Sequence, residues 1–178
     1  TEESFLDMNS KSPMVLHHAT HGFYYHTNKA GDINYLKGYT DAMSLSGLVL
    51  SGGNAAWLGK KLPIGVLGGI LTANDIARLD LGNTDMVVLS ACKSGQGKAT
   101  SEGLYGLQRA FKKAGVGTIV MSLWGVSDKV TSEFMVAFYE QLVNGKVWNK
   151  RKAFENAKMI VCKKHPEPFY WAVFVMLD

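Results

Sequence analysis

The sequence predicts an α/β domain whose mostly parallel sheet carries helices on both faces. Three observations predict it. Short apolar runs alternate along the chain with longer segments of helical period, the pattern of a sheet covered by helices. Two runs, ending near His21 and Cys92, lead into glycine-bearing turns, as strands do at the carboxyl edge of such a sheet. Glycine also follows two helical segments directly, Gly115 after Ala114 and Gly145 after Asn144, where a left-handed cap stops a helix.

Taken in order, Glu2 to Met8 has helical period, and Met14 to Ala19 reads as a strand that delivers His21 to Gly22. Ser46 to Leu50 is a second strand. Ser51-Gly52-Gly53-Asn54 and Gly65 to Gly69 read as turn and loop. A helix is expected over Thr72 to Leu79, then the strand Met86 to Ser90, which runs through Ala91 into Cys92 and the turn Lys93-Ser94-Gly95-Gln96-Gly97. The helix Ser101 to Ala114, the strand Gly117 to Ser122, the helices Lys129 to Asn144 and Lys150 to Lys163 and the strand Ala172 to Met176 complete the chain. Neither repeats nor low-complexity tracts interrupt it.

Composition narrows the function classes. With 178 residues and 47% of them apolar, the chain reads as one domain over 1–178 with a buried core. The formal charge of +4 is divided unevenly: residues 1–90 hold 6 basic and 8 acidic side chains, residues 91–178 hold 13 and 7. These later cations lie on helical stretches and read as solvated faces; a nucleic-acid surface would gather them on one face with aromatics between, so no nucleic-acid partner is expected. No apolar run reaches the roughly 18 residues of a membrane span. Two distant cysteines make no disulfide framework, which points to a reducing, cytoplasmic compartment. Cys162 sits on a helical pattern as a small buried hydrophobe. Because the chain starts at Thr1 rather than methionine, it reads as a processed product or part of a longer protein.

Cys92 and His21 carry the chemistry. A thiol at its reference pKa of about 8.5 is only a few per cent ionised at neutral pH, so a nucleophilic cysteine needs a base or a positive environment. A strand end beside a helix start holds such a thiol firmly, exposes it and surrounds it with N–H groups that favour its anion. If their strands run parallel, His21 reaches the same edge as Cys92 and supplies the base. Backbone N–H groups of Gly22 and Cys92 are the candidate oxyanion donors. Trp124 to Asp128, after the strand Gly117 to Ser122, emerges there too. The alternative is structural: Cys92 fills space and His21 caps a turn. His17 and His18, adjacent on a strand, point to opposite faces, and at least one is expected to be packed or partnered. A zinc site would want more ligands than His17 and His21, so neither metal nor cofactor is expected. His26 and His165 read as surface residues.

A rival reading is a phosphate-binding loop. Cys92 to Ala99 follows a strand and precedes a helix, but Cys92 stands where the first glycine belongs and Ala99 where the magnesium-binding hydroxyl belongs. Gly53 to Lys61 has one residue too many between its glycines and a lysine in the hydroxyl position.

These residues, in this order, resemble a CHAT domain, the caspase-like module often found beside tetratricopeptide repeats and related to caspases, separase, gingipains and clostripain. The resemblance rests on Ala19-Thr20-His21-Gly22, on Leu89-Ser90-Ala91-Cys92 with Gly95 and Gly97, and on Glu102-Gly103-Leu104. It continues through Gly106 to Phe111, Ala114-Gly115, Ser122-Leu123-Trp124-Gly125-Val126-Ser127-Asp128, Phe138-Tyr139 with Leu142, and Tyr170-Trp171 with Phe174. It implies a caspase-like fold and a cysteine endopeptidase, or a descendant of one, with a Cys92–His21 dyad acting on protein or peptide substrates.

In separase-like relatives an acid in the loop matched by Asp128 helps to bind a basic residue preceding the cleaved bond. Asp128 is therefore expected either to select arginine or lysine from a buried position beside the dyad or to cap the following helix. Ser90 is expected on the pocket floor and Trp124 as a wall or as core. Lys93 and Ser94 depart from the glutamate and threonine usual in the family, and the family usually contributes further βα structure ahead of the position of Thr1. The alternative function is an inactive or weakly active signalling module.

Overall fold

The computed structural model describes residues 1–24, 41, 43–62, 67–90, 101–145 and 148–178, the side chains of 101–105 excepted. In chain order these form α1 (Glu2–Leu6), β1 (Val15–His18), β2 (His21–Tyr24), β3 (Ser46–Val49), α2 (Gly53–Trp57), β4 (Ile70–Thr72) and α3 (Ala73–Ile76). There follow β5 (Met86–Leu89), α4 (Ser101–Lys113), β6 (Thr118–Ser122), α5 (Asp128–Asn144), α6 (Lys150–Lys164), α7 (Pro168–Trp171) and β7 (Phe174–Leu177).

The main sheet has the order β1-β5-β6-β7. Its first three strands run parallel and β7 runs antiparallel to β6. Strand residues alternate between two helical layers because successive side chains leave opposite faces. On β5, Val87 and Leu89 pack with Phe5, Ile76, Leu107 and Phe111, whereas Met86 and Val88 pack with Phe134, Phe138, Phe154 and Val161. Strand β6 repeats the division, Ile119 and Met121 against Val120. Each such side chain, fully buried, contributes about 1.5–3 kcal/mol, so both layers are needed to cover the sheet. This is the expected α/β architecture with helices on both faces.

The expectation of a single sheet is corrected. Strands β2, β3 and β4 form a separate antiparallel sheet. Two local features permit it. The hydroxyl of Thr20 donates to the carbonyl of Val49, tying the corner between β1 and β2 to β3. At Gly47 an added Cβ would lie 2.2 Å from the Leu71 carbonyl oxygen and 2.8 Å from the Phe23 ring, so β3 fits between its neighbours because that side chain is missing. Leu48 and Leu71 pack into the core shared with α4, and Phe23, Leu45 and Ile70 form a small core of their own.

Other boundaries shift for identifiable reasons. Thr72 caps α3 rather than opening it, its hydroxyl accepting from Asp75 N–H while the Asp75 carboxylate accepts from Thr72 N–H. The expected turn at Gly53 and Asn54 is instead the start of α2, entered through a left-handed Gly52 (φ 93°). Gly115 is left-handed as expected (φ 96°). Gly145 is not: it ends α5 in an extended conformation (φ −68°). Among the described residues no helix is long and apolar enough to cross a membrane.

Candidate active site

Parallel pairing of β1, β5 and β6 sends their carboxyl ends to one edge. The register pairs His18 with Leu89 and Leu89 with Met121, and Ser90 N–H extends the ladder to the His18 carbonyl at 3.1 Å. Cys92 follows Ser90 by two positions and lies outside the described residues, as do its N–H, the turn that follows it and the Cys92–Ala99 stretch weighed for phosphate. His21 lies just past the end of β1, at the first position of β2, exposed and paired with Val49. Beyond β6, Leu123 N–H still bonds the Val173 carbonyl (2.9 Å); the chain then loops through Trp124 to Ser127 into α5.

One cleft of about 630 Å³ opens at this edge, and His21, Ser90, Trp124 and Asp128 all line it, together with His17 and Met135. Three separate stretches singled out for their chemistry thus meet in one space. Trp124 is a half-buried wall, its indole N–H donating to the Phe169 carbonyl (3.0 Å) and its ring lying 6.2 Å from that of Phe169.

Asp128 differs from both placements weighed for it, the buried one and the cap. It is exposed rather than buried. Nor is it the cap: Ser127 caps α5, accepting from Val130 N–H at 3.4 Å, and Asp128 is the first helical residue. Among the described residues no hydrogen bond or ion pair engages its carboxylate. At Gly22 an added Cβ would meet the Gly47 carbonyl at 3.6 Å and Leu107 at 3.8 Å, ordinary contacts. The missing side chain points to α4, and its absence does not widen the cleft.

The adjacent histidines do face opposite ways. His17 Nε2 lies 2.8 Å from Ser90 Oγ, and its Nδ1 lies 3.0 Å from the Tyr139 hydroxyl. The two rings stack, 5.6 Å apart at 25°. Sequence reasoning missed this partnership; Tyr139 is 122 residues away, and only its place beside Phe138 in the family-like stretch marked it. His18 turns to the other layer against Phe5, ring centroids 5.1 Å apart, and its Nε2 is buried without a partner among the described residues. Phe5 is carried there by α1, which Glu2 and Glu3 fasten to the β4 approach by accepting from the Gly69 and Leu67 N–H groups.

Burial, and then the neighbouring His17, push the His18 imidazole down to about 4. The unfolded chain takes that proton near the ordinary histidine value of about 6.5, whereas the fold resists it until about 4. Stability is therefore lost as pH falls through that interval and no further below it. The expected loss is about 3 kcal/mol. Urea midpoints at pH 7 and pH 4.5 measure it, and His18→Leu should remove most of the difference.

His165 is not a free surface residue, since it is half-buried and bonds Glu133 at 2.9 Å. Cys162 is only partly buried on α6. His26 lies outside the described residues. No cluster of three metal-ligating side chains occurs among the described residues.

The CHAT domain family matches the chain over residues 1–178. Tetratricopeptide repeat protein 28 of Mus musculus is 34% identical over 109 residues, which is 61% of this chain and 4% of that protein. The Homo sapiens protein of the same name is 34% identical over 110 residues, again 61% of this chain and 4% of its own length. The chain thus corresponds to a small part of these relatives.

Proposed function

This chain belongs to the CHAT domain family, caspase-like in fold, and from that premise we propose that it is a cysteine endopeptidase working through Cys92 and His21. The reading is carried by one observation: the candidate base His21 shares a cleft with Ser90, two residues before the candidate nucleophile, and with Trp124 and Asp128 from the loop after β6.

His21 takes the proton of the Cys92 thiol, and the thiolate attacks the scissile carbonyl carbon. Backbone N–H groups of Gly22 and Cys92 receive the oxyanion. As the tetrahedral intermediate collapses, the C–N bond breaks and the imidazolium passes its proton to the leaving amine. Water, deprotonated by the same imidazole, then hydrolyses the thioester and regenerates the thiol. The cleft receives the side chain preceding the cleaved bond. The free carboxylate of Asp128 favours arginine or lysine there, while Ser90 lines the floor and Trp124 a wall. Tetratricopeptide repeats are the proposed regulatory partners and a reducing cytoplasm the proposed setting. Neither metal, cofactor nor nucleic acid enters the scheme.

Peptides ending in arginine, lysine or an uncharged residue before a reporter amine test the reading. Turnover by the wild-type chain and its loss in Cys92→Ala support it; turnover that survives the substitution removes the nucleophile. Asp128→Asn is expected to slow the arginine peptide about 10- to 100-fold, the worth of a charge-assisted hydrogen bond, and to leave Cys92 alkylation unchanged. Equal loss on uncharged peptides would instead make Asp128 a support of α5. The second reading, an inactive interaction module, draws on the relatives' names, which state a repeat and no activity. Wild type that cleaves none of these peptides would favour it.

A further inference from the structure

We propose that His17, held by Tyr139, is a specificity-determining residue of this cleft: it accepts a hydrogen bond from the Ser90 hydroxyl when a cationic side chain enters, leaving the Ser90 lone pairs as acceptors for that cation. The proposal deepens the reading above, since it concerns the substrate class of the same cleft.

Both ring nitrogens of His17 are engaged, Nε2 with Ser90 Oγ at 2.8 Å and Nδ1 with Tyr139 Oη at 3.0 Å. A neutral imidazole has one donor and one acceptor, while a hydroxyl both donates and accepts, so this chain of three groups can run in either direction. In the empty cleft the phenol, a stronger acid than an aliphatic alcohol, donates to Nδ1, and Nε2–H donates to Ser90. Partial burial raises the Tyr139 phenol above its ordinary value, so it keeps the proton it donates. Ser90 then points its own hydrogen elsewhere.

A guanidinium or ammonium in the cleft reverses the order. Ser90 donates to Nε2, Nδ1–H donates to Tyr139, and the Ser90 lone pairs face the cation. The reversal is a change of imidazole tautomer: solvent water removes the Nε2 proton and delivers one to Nδ1 while the Ser90 and Tyr139 hydroxyls rotate, so each group keeps its proton count and the net charge is unchanged. It requires a neutral His17, because a protonated ring donates from both nitrogens and cannot accept from Ser90. Partial burial lowers the His17 imidazole below the ordinary histidine range although the residue keeps an exposed face, a direction that favours the neutral ring.

Other groups face this ring. His21 and Asp128 line the same cleft, Tyr139 arrives from α5, and His18 lies on the opposite face of β1. The ends of β5 and β6 contribute the uncharged Ser90 and Ser122 to the lining.

Benzamidine, a cation that needs no reaction, tests the proposal on the full chain. Its binding and the protonation of His17 are reciprocally coupled. With a coupling of about tenfold, saturating benzamidine lowers the His17 titration midpoint seen by NMR by about one pH unit. Benzamidine should also bind more weakly as His17 protonates, and in His17→Gln that dependence should vanish. Tyr139→Phe, which keeps the stacked ring, is expected to reduce the preference for arginine over norleucine peptides about tenfold or less while leaving kcat/KM for norleucine peptides unchanged. A His17 midpoint that benzamidine leaves unmoved overturns the proposal. So does absence of benzamidine binding at any pH, or an acid loss of affinity that persists in His17→Gln and thus belongs to His21 or Asp128. The benzamidine readouts do not use Cys92, so their failure is distinct from failure of the peptidase reading, which Cys92→Ala reports.

Discussion

His21→Ala is expected to slow peptide hydrolysis about 100- to 10,000-fold, the worth of a positioned general base, and to leave the fold unchanged. Structural innocence is what makes the measurement clean. His21 is exposed, and among the described residues its ring makes no hydrogen bond or ion pair, so its removal strands no buried partner. Its backbone, which pairs with Val49, is untouched by the change. Three measurements separate chemistry from folding. The urea midpoint should stay within about 0.5 kcal/mol of wild type, as for other surface changes. Alkylation of Cys92 by iodoacetamide should shift to the pH profile of an unassisted thiol. Turnover of arginine and uncharged peptides should fall together, since a base acts on both. Hydrolysis that continues at the wild-type rate would leave the imidazole without its role.

Phe134→Ala carries the largest expected effect on stability, a loss of about 3–5 kcal/mol. Phe134 is fully buried and stacks on Phe174 with ring centroids 3.9 Å apart at 5°. It also meets Phe154 edge-on at 5.4 Å and lies 6.1 Å from Phe138. One ring thus joins α5 to β7 and α6, and the cavity left by its removal would be lined by other rings too large to collapse into it. Denaturant unfolding should show a lower midpoint at unchanged slope. A loss below about 1 kcal/mol would mean that the aromatic layer repacks. The same helix brings Asp128 and Met135 to the cleft and Tyr139 to His17, so cation binding should weaken along with stability.

The two substitutions sit at opposite ends of what residue pattern makes legible. Val87 and Leu89 against Met86 and Val88 is an alternation any reader can assign to two faces. That β5 lies between β1 and β6 came from the structure, since the crossover rule for parallel strands sets handedness and not strand order. Strand β2 was less accessible. His21-Gly22-Phe23-Tyr24 is short and mixed in polarity and is not expected as a strand, and nothing in the period of Ser46 to Val49 says that it pairs there instead of joining the main sheet. At the start of α5, Ser127 and Asp128 are both good capping residues. The choice between them was settled by which side chain the turn aims at Val130 N–H, and that choice freed the Asp128 carboxylate for the cleft.

By itself the amino-acid order determined the family, the α/β class, the spans of five of the seven helices described to within a few residues and the stretches worth watching for chemistry, because these depend on local period, turn residues and short motifs. Tertiary structure alone decided that β2 to β4 split off as a second sheet, that Ser90, His21, Trp124 and Asp128 share one cleft, and that His17 finds Tyr139 from a distant helix. Such partnerships are set by how packed layers bring remote side chains within 3 Å or so of each other, and no spacing along the chain encodes that distance.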